Sequence, residues 1–484
     1  MRIVMVSSES APYVKTGGLG DVVHSLAKAL VKLGNQVWII MPFYKKIKAS
    51  LQKVKESLSI TFDGSPKKFD LYTDIKDGVT YYFIGYDPYY NRDYVYADPR
   101  GCYEDNHLRF GFLSLAALEV VRQQKIESDV FHIHDWHTSL LPLYKKLYYQ
   151  ELERVPTVLT LHNAMHQGIF DSHVLNSLHI PWEFFRPFDG IEFYGKVNFL
   201  KAGIVYCDVL TTVSPTHAEE LKEYAFGLEG VIRQKKYFVG ILNGIDYEVW
   251  NPEEDPYLKW HYGKKNFRKG KRANKKDIKD VFGLNTPLTR PLVGMVSRLT
   301  AQKGFDLLLK ATDELVKEGF DFIVLGSGEE YYQNNLLDLM RRHPNHFRVR
   351  IDYSEELAHR IFAGADILLM PSLFEPCGVS QMIAMRYGTV PVVRGVGGLR
   401  DTVKDVVEDP QTGNGFVFYD FSPKEMVYAL LRARAIYDMS VCDGDLTWFE
   451  IIKRCMKKDF SWEKGAREYE RVYATALMVR RYDS

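Results

Sequence analysis

Short apolar runs separated by amphipathic stretches recur along most of the chain. In the first half, residues 2–6, 36–41, 81–84, 130–133, 157–161 and 209–213 read as strands. Between the first two, Val22 to Leu33 carries the period of an amphipathic helix. A second series opens at Leu292-Val-Gly-Met-Val-Ser297 and continues through 321–326, 348–351, 367–370 and 390–393. Strands alternating with helical runs predict parallel α/β sheets. The two halves share no sequence period, and no low-complexity tract interrupts them.

Four stretches fall outside this rhythm. Residues 87–106 hold Tyr89, Tyr90, Tyr94, Tyr96 and Tyr103 and read as a long surface excursion, a type of loop that is often functional. Asn243-Gly-Ile-Asp-Tyr-Glu-Val-Trp-Asn-Pro252 is dense in turn formers. The basic stretch from Lys264 to Lys279 reads as a solvated helical surface. The end of the chain, Phe460 to Arg481, predicts a long helix with Ser461 as its N-cap and Trp462, Tyr469, Val472 and Tyr473 on its apolar face.

A chain of 484 residues is too long for one core, and roughly 150 residues per domain allows two or three. The formal net charge of +1 argues against a nucleic-acid binder that works by bulk charge. No apolar stretch approaches the roughly 20 residues of a membrane span. The N-terminal apolar run meets Ser7-Ser8-Glu9 and does not read as a secretory signal. Five scattered cysteines without a C-x-x-C suit a reducing cytosol, so the expected location is cytoplasmic.

In doubly wound domains, the residues just after the strands are the candidates for chemistry. Lys15-Thr-Gly-Gly-Leu-Gly-Asp21 joins the first strand to the first helix. Gly17 and Gly18 let the backbone approach a ligand, and the helix start offers N–H groups to an anion. This is not the dinucleotide fingerprint, because Gly18-Leu-Gly20-Asp-Val-Val23 lacks the third glycine and the second strand ends in Pro42 rather than an acid. The P-loop pattern also fails, since the lysine precedes the glycines.

His132-Ile-His-Asp-Trp-His137 follows the fourth strand. Alternation puts His132 and His134 on one face. No cysteine or second acid completes a metal set, so the cluster reads as polar groups for sugar hydroxyls, with a structural role for His132 left open. His162, after the fifth strand, suits either a hydroxyl contact and proton transfer or a buried structural role. In the second half, Arg298 and Lys303 can face one diphosphate from a single loop, or be two solvated charges. Gly326-Ser-Gly328 reads as a close-approach turn consistent with a nucleotide site. In Pro371-Ser-Leu-Phe-Glu-Pro-Cys-Gly-Val-Ser-Gln381, Glu375 precedes a predicted helix with Pro376 at or near its first turn, and Cys377 reads as a packing residue. Asp443-Gly-Asp445 lies in a polar turn and is not read as a metal-binding pair.

Together these stretches resemble the bacterial glycogen synthases and plant starch synthases, which transfer glucose from a nucleotide sugar with retention. The matching segments are Lys15-Thr-Gly-Gly-Leu-Gly-Asp21, His134-Asp-Trp-His137, Leu161-His-Asn163, Asn243-Gly-Ile-Asp246, Ser297-Arg-Leu-Thr-Ala-Gln-Lys303, Phe374-Glu-Pro-Cys-Gly378 and Gly397-Gly-Leu-Arg-Asp401. They span nearly the whole chain. The resemblance implies a GT-B fold: two Rossmann-like, doubly wound domains facing across a cleft, with the last helix crossing back to the N-terminal domain. The implied division is 1–245 for the acceptor-side domain, 246–290 for a hinge and linker, 291–459 for the nucleotide-sugar domain and 460–484 for the returning helix.

It further implies that Lys15, Arg298 and Lys303 hold the diphosphate and that Asp21, His162 and Glu375 surround the glucose. Arg298, Lys303, Asp21, His162 and Glu375 form the implied catalytic set. Gly17, Gly18, Cys377, Gly378, Ser380, Gly397 and Gly398 join the substrate-binding positions. Tyr353 is implied to stack on adenine, Asn243 to sit in the hinge, and Asp135, Trp136 and His137 to contact the acceptor. The implied donor is ADP-glucose, with UDP-glucose the alternative. The implied acceptor is an α-1,4-glucan such as glycogen, starch or a maltooligosaccharide, and neither metal nor cofactor is expected. Nucleic-acid and membrane partners are not expected, and a mature plant enzyme would work in the plastid stroma. Rival readings are a GT-B transferase with a small sugar acceptor, a nucleotide-sugar epimerase and a non-catalytic glucan binder. Three positions depart from the family pattern: His166 where tyrosine is usual, Val379-Ser380 in place of Leu-Thr, and Val396 in place of threonine or serine.

Overall fold

The computed structural model describes residues 1–47, 51–54 and 57–482. The chain divides into two compact units, Met1–Gly244 with Trp462–Ser484, and Ile245–Ser461.

Among the described residues the first unit is built on a ten-stranded sheet. Its parallel part runs, in spatial order, Phe238–Gly240, Val209–Thr212, Thr157–Leu161, Val130–His134, Arg2–Val6, Gln36–Pro42 and Val79–Gly85. Numbered along the chain, these seven strands lie 7-6-5-4-1-2-3. Val130–His134 and Thr157–Leu161 are buried along their whole length, as parallel strands covered on both faces must be. Ser65–Lys76 adds antiparallel to Val79–Gly85 and pairs in turn with Leu58–Phe62 and Gln52–Lys53. These strands are invisible to a search for apolar runs, because only alternate side chains (Leu58, Ile60, Phe62) face the core.

The helix Trp462–Tyr482 belongs to this first unit. It packs against the helix Gly18–Lys32, and Trp462, Ala466, Tyr469, Val472, Tyr473 and Ala476 enter the core. Their spacing of three and four residues is one helical face. Asn35 adds a hydrogen bond of 2.8 Å from its Nδ2 to Glu470 Oε1.

The second unit carries six parallel strands in the spatial order Phe347–Ile351, Asp321–Gly326, Leu292–Val296, Ile367–Met370, Val390–Arg394 and Phe416–Phe418. Numbered within the unit they lie 3-2-1-4-5-6, the doubly wound Rossmann order. Among the described residues no helix is long and apolar enough to cross a membrane.

Two surface expectations are corrected. The basic stretch is a solvated face only in part: Lys264, Lys265, Arg268, Lys269, Arg272 and Lys276 are exposed, but the helix Phe267–Phe282 buries Lys271, Lys275 and Lys279, spaced four residues apart. Each ammonium is satisfied inside. Lys271 Nζ donates to Ala363 O, Tyr387 O and Thr389 Oγ1. Lys275 meets Asp366 at 2.5 Å, and Lys279 meets Asp321 at 2.9 Å. Burial without a carboxylate in contact pushes the Lys271 amine down to about 7. Residues 246–290, expected as a hinge and linker, fall within the second compact unit. Asp255 Oδ2 lies 2.8 Å from His359 Nδ1 and accepts from Tyr387 OH at 2.5 Å, while Trp250 stacks on His359 at 3.9 Å. This fastens the turn-rich stretch to the second unit.

The excursion at 87–106 is likewise more packed than its composition implied. Tyr89 and Tyr90 are buried, and only Tyr94 is largely exposed. Arg109, fully buried, donates to Tyr89 O, Val95 O and Asn106 Oδ1 and so braces the segment from inside.

Candidate active site

In both units the first and fourth strands are neighbours whose following loops diverge, the switch point at which doubly wound sheets bind ligands. The sequence candidates sit on these loops.

In the first unit, the helix after the first strand begins at Gly18, four residues earlier than its apolar period indicated. Gly17 is an extended N-cap with no side-chain cap, so the first-turn N–H groups are left for other acceptors. A Cβ on Gly17 or Gly18 would meet nothing within 4 Å, whereas one on Gly20 would lie 3.1 Å from Val14 O. The first two glycines therefore border open space and the third is a packing position. Lys15 Nζ and Asp21 Oδ2 pair at 2.8 Å across this turn. Glu9, which the sequence reading passed over as a polar interruption, accepts from Thr16 N at 2.8 Å and Thr16 Oγ1 at 2.5 Å. Burial raises its carboxyl. An acid three residues after a strand was the available signal.

After the fourth strand, Asp135 takes a left-handed backbone (φ 55°) and turns its carboxylate inward, where Oδ1 accepts from His162 N at 2.7 Å. Burial pushes this carboxyl up to about 7, against the lowering effect of the His162 and Asn163 N–H groups. Trp136 packs among Phe110, Phe170 and Phe199, and His137 stacks on Tyr96. All three expected acceptor residues are thus buried, and Asp135 acts directly on the loop that carries His162.

His132 is a structural histidine: fully buried, it bonds Tyr473 OH at 2.9 Å and Thr160 Oγ1 at 2.7 Å. His134 Nδ1 lies 3.1 Å from His162 Nε2. Burial drives His132 and His162 down to about 3, so both are neutral near pH 7. A neutral His162 shares one proton with His134 and can donate or accept at its other nitrogen. Among the described residues no group of three or more His, Cys, Asp or Glu is arranged to hold a metal ion.

In the second unit, Lys303 Nζ lies 2.6 Å from Glu375 Oε2, which also accepts from Ser372 Oγ at 3.0 Å. The two loops are stitched together by Leu373 N to Gln302 O at 2.8 Å and Gln302 Nε2 to Phe374 O at 3.3 Å. Gly304, at φ 73°, lets them touch, since a Cβ there would lie 1.9 Å from Pro371 O. Arg298 is exposed on the same loop. Gly326 and Gly328 form a close-approach turn against this loop: a Cβ on Gly326 would fall 1.9 Å from Ser297 O and one on Gly328 2.3 Å from Leu299 O.

Beyond Glu375, the helix starts at Ser380, not at Pro376. Cys377 is buried, Gly378 turns the chain at φ 70°, and Gln381 Nε2 bonds both of their carbonyls. The turn at Gly397 and Gly398 packs against this one: Gly398 N donates to Glu375 O at 3.1 Å, and a Cβ on Gly398 would lie 2.0 Å from Cys377 O. Val396 is the N-cap of the helix Gly397–Thr402 and, having no hydroxyl, gives it no side-chain cap. Tyr353 projects its ring into solvent after the strand Phe347–Ile351. Asn243 is buried in the first unit, and among the described residues its Oδ1 has no hydrogen-bond partner.

Comparison with known proteins matches residues 2–234 to the family "Starch synthase catalytic domain" and 276–435 to "Glycosyl transferases group 1". A glycogen synthase of Hydrogenobaculum sp. is 48% identical over 99% of this chain and 100% of its own length. One from Thermotoga maritima is 40% identical over 99% of both. Among solved structures, the catalytic domain of starch synthase IV from Arabidopsis thaliana, bound to ADP and acarbose, matches with a TM-score of 0.90 at 35% identity, covering 98% of this chain and 99% of that one. Sucrose-phosphate synthase from Thermosynechococcus elongatus, at 15% identity and a TM-score of 0.61 over 99% of both chains, shares the fold alone.

Proposed function

Because the chain belongs to the glycogen and starch synthase family of GT-B glucosyltransferases, we propose that it transfers glucose from ADP-glucose to the non-reducing 4-hydroxyl of an α-1,4-glucan, with retention at C1. The observation that carries this reading is the Lys303–Glu375 pair on the second unit's switch-point loops. One loop presents cations suited to a diphosphate and the other a carboxylate suited to sugar hydroxyls.

Cleaving the bond from C1 to the diphosphate places negative charge on the leaving group and positive charge on the ring. Arg298, Lys303 and Lys15, with the N–H groups at the start of Gly18–Lys32, stabilise the first. Glu375 orients hydroxyls and balances the second, with Asp21 and His162 as further sugar contacts. Asp135, Trp136 and His137 shape the acceptor side from behind, with Asp135 holding His162 in place. Gly378, Ser380, Gly397 and Gly398 let backbone approach the donor, and Cys377 packs beneath them. Neither Asp21 nor Glu375 is read as a nucleophile, so attack on the leaving-group face, with a phosphate oxygen as base, is the proposed route. We assign charge compensation to protein cations, and the site of action to the cytoplasm.

Tyr353 supports adenine over uracil: an exposed ring gains more stacking area from a purine. A crossed assay tests this, pairing ADP-glucose and UDP-glucose with glycogen, with and without chelator. Transfer that favours ADP-glucose and ignores chelator is expected. Equal use of both donors, or loss of activity with chelator, would contradict it. Tyr353→Ala should raise KM for ADP-glucose more than it lowers kcat.

A further inference from the structure

Two neighbouring turns in the first unit display aromatic rings in a way that the donor chemistry does not use. The hairpin formed by Glu192–Phe193 and Lys196–Asn198 turns through Tyr194 and Gly195, both at positive φ (50° and 80°). Such two-residue turns favour Asn-Gly, because side chains other than Asn and Asp are strained there. Here the first position is a tyrosine, and its side chain is 82% exposed. The second turn repeats the pattern with Phe226 (φ 54°) and Gly227 (φ 93°), next to a Tyr224 that is 65% exposed. Phe193 and Phe226 are half-buried against the core of the first unit, whereas Tyr194 and Tyr224 stand out from it; strain spent on placing the exposed Tyr194 ring at a turn tip points to a use for that ring.

Both tips are fixed. Glu192 Oε1 accepts from Gly195 N at 2.6 Å. Glu229 Oε2 accepts from Ala225 N and Gly227 N, each at 3.0 Å. The tips also touch, because a Cβ on Gly227 would lie 2.8 Å from Phe193 Cζ and 3.5 Å from Tyr194 Cε2. Phe193 and Tyr194 meet edge to face at 4.8 Å, and Tyr224 and Phe226 lie 4.9 Å apart. Gln167, five residues beyond His162, ties them to the site loop: its Nε2 donates to Ala164 O and Phe226 O, and its Oε1 accepts from Asn198 Nδ2 at 2.6 Å.

We propose that the exposed rings of Tyr194 and Tyr224, backed by the half-buried Phe193 and Phe226, form a second glucan-binding surface, which holds the acceptor polymer by ring stacking away from the end being extended. This rests on the glucan acceptor of the proposed function. Pyranose faces carry C–H groups that suit the negative face of an aromatic ring. Preset turns let the rings bind with little loss of conformational freedom. Continuity with the His162 loop gives the surface a place along the acceptor's path. A protein partner is a poorer fit, since a stable interface buries about 800 Å² per side and two exposed rings on separate turns offer far less.

The test compares the parent enzyme with Tyr194→Asn/Tyr224→Ser. Asparagine tolerates the left-handed backbone, so the turn survives while the rings are removed. In native gels containing glycogen, the parent should be retarded and the double variant should bind about five- to tenfold more weakly. Its KM for glycogen should rise in step, while kcat with saturating maltotriose stays within about twofold. Tyr194→Phe should bind like the parent, because the ring face rather than the hydroxyl makes the contact. Equal retardation of parent and double variant, or no retardation of the parent, would overturn the proposal. So would light scattering that shows a parent dimer lost in the variant, which would make the rings a contact for a second copy. Failure of the parent to transfer glucose to maltotriose would instead overturn the proposed function, and the gel result stands apart from it.

Discussion

Lys303 Nζ and Glu375 Oε2 form an ion pair of 2.6 Å with both side chains largely withdrawn from solvent. Each partner makes the burial of the other tolerable, and each is assigned to a different part of the donor. Lys303→Ala should cut transfer by ~10²-fold or more, as for losing a preorganised charge contact. It should also destabilise the second unit, because Glu375 is left as a buried, unpaired charge. Adding Glu375→Gln removes that charge, so the double variant should unfold at higher denaturant than Lys303→Ala alone while remaining inactive. Simple additivity of the two changes in urea unfolding would show that the pair is not coupled.

The glycines under the cation loop give a second prediction. Gly326→Ala places a methyl 1.9 Å from Ser297 O, which is backbone and cannot swing aside. The loop bearing Arg298 and Lys303 must shift. We expect a loss of about 1–3 kcal/mol in stability, typical of overpacking, and a raised KM for the donor. A variant with unchanged stability and KM would mean that the loop is not held against that strand end.

The buried face of Phe267–Phe282 separates lysines that look alike in sequence. Lys275→Ala strands Asp366 and should cost about 3–5 kcal/mol, as breaking a buried ion pair does. Lys276→Ala, next to it but exposed, should stay within about 0.5 kcal/mol. Similar denaturant midpoints for the two variants would contradict the placement of the helix.

How much of this could be read from the chain depends on what each residue answers to. Parallel strands such as 157–161 were legible because burial on both faces makes them continuous apolar runs. The meander at 58–76 and the strand Phe416–Phe418 were not, being half-polar or too short to show a period. Arg298, Lys303 and Glu375 could be named from residue type and position after a strand, but not the 2.6 Å pairing of the last two, which depends on distant loops meeting. The inward turn of Asp135 was missed for the same reason, and Glu9 because residue type alone does not show that the local turn at Thr16 folds over its carboxylate. Within 264–279 the exposed cations were legible as a solvated face, but not Lys271, Lys275 and Lys279, because charge patterns do not show the carbonyls and carboxylates that satisfy them inside.

The buried histidines predict an acid sensitivity. Burial holds His132 down to about 3, whereas in the unfolded chain it titrates near its ordinary value of about 6.5. Below pH 6.5 the unfolded state therefore takes up a proton that the native state does not. The stability this group contributes is complete above 6.5 and is lost as pH falls toward about 3, by on the order of 1 kcal/mol per pH unit. Urea unfolding at pH 7.5, 6.0 and 5.0 should show a steeper decline for the parent than for His132→Gln. Parallel declines would mean that His132 is charged or solvated in the native state.

The central claim is retaining glucosyl transfer from ADP-glucose to an α-1,4-glucan, and proton NMR of a running reaction with maltotriose tests it most directly. The predicted result is loss of the ADP-glucose anomeric signal in step with growth of a new α-1,4 anomeric signal from the first turnovers. A β-linked product, free glucose in place of the glucan, or no consumption of ADP-glucose would contradict the account.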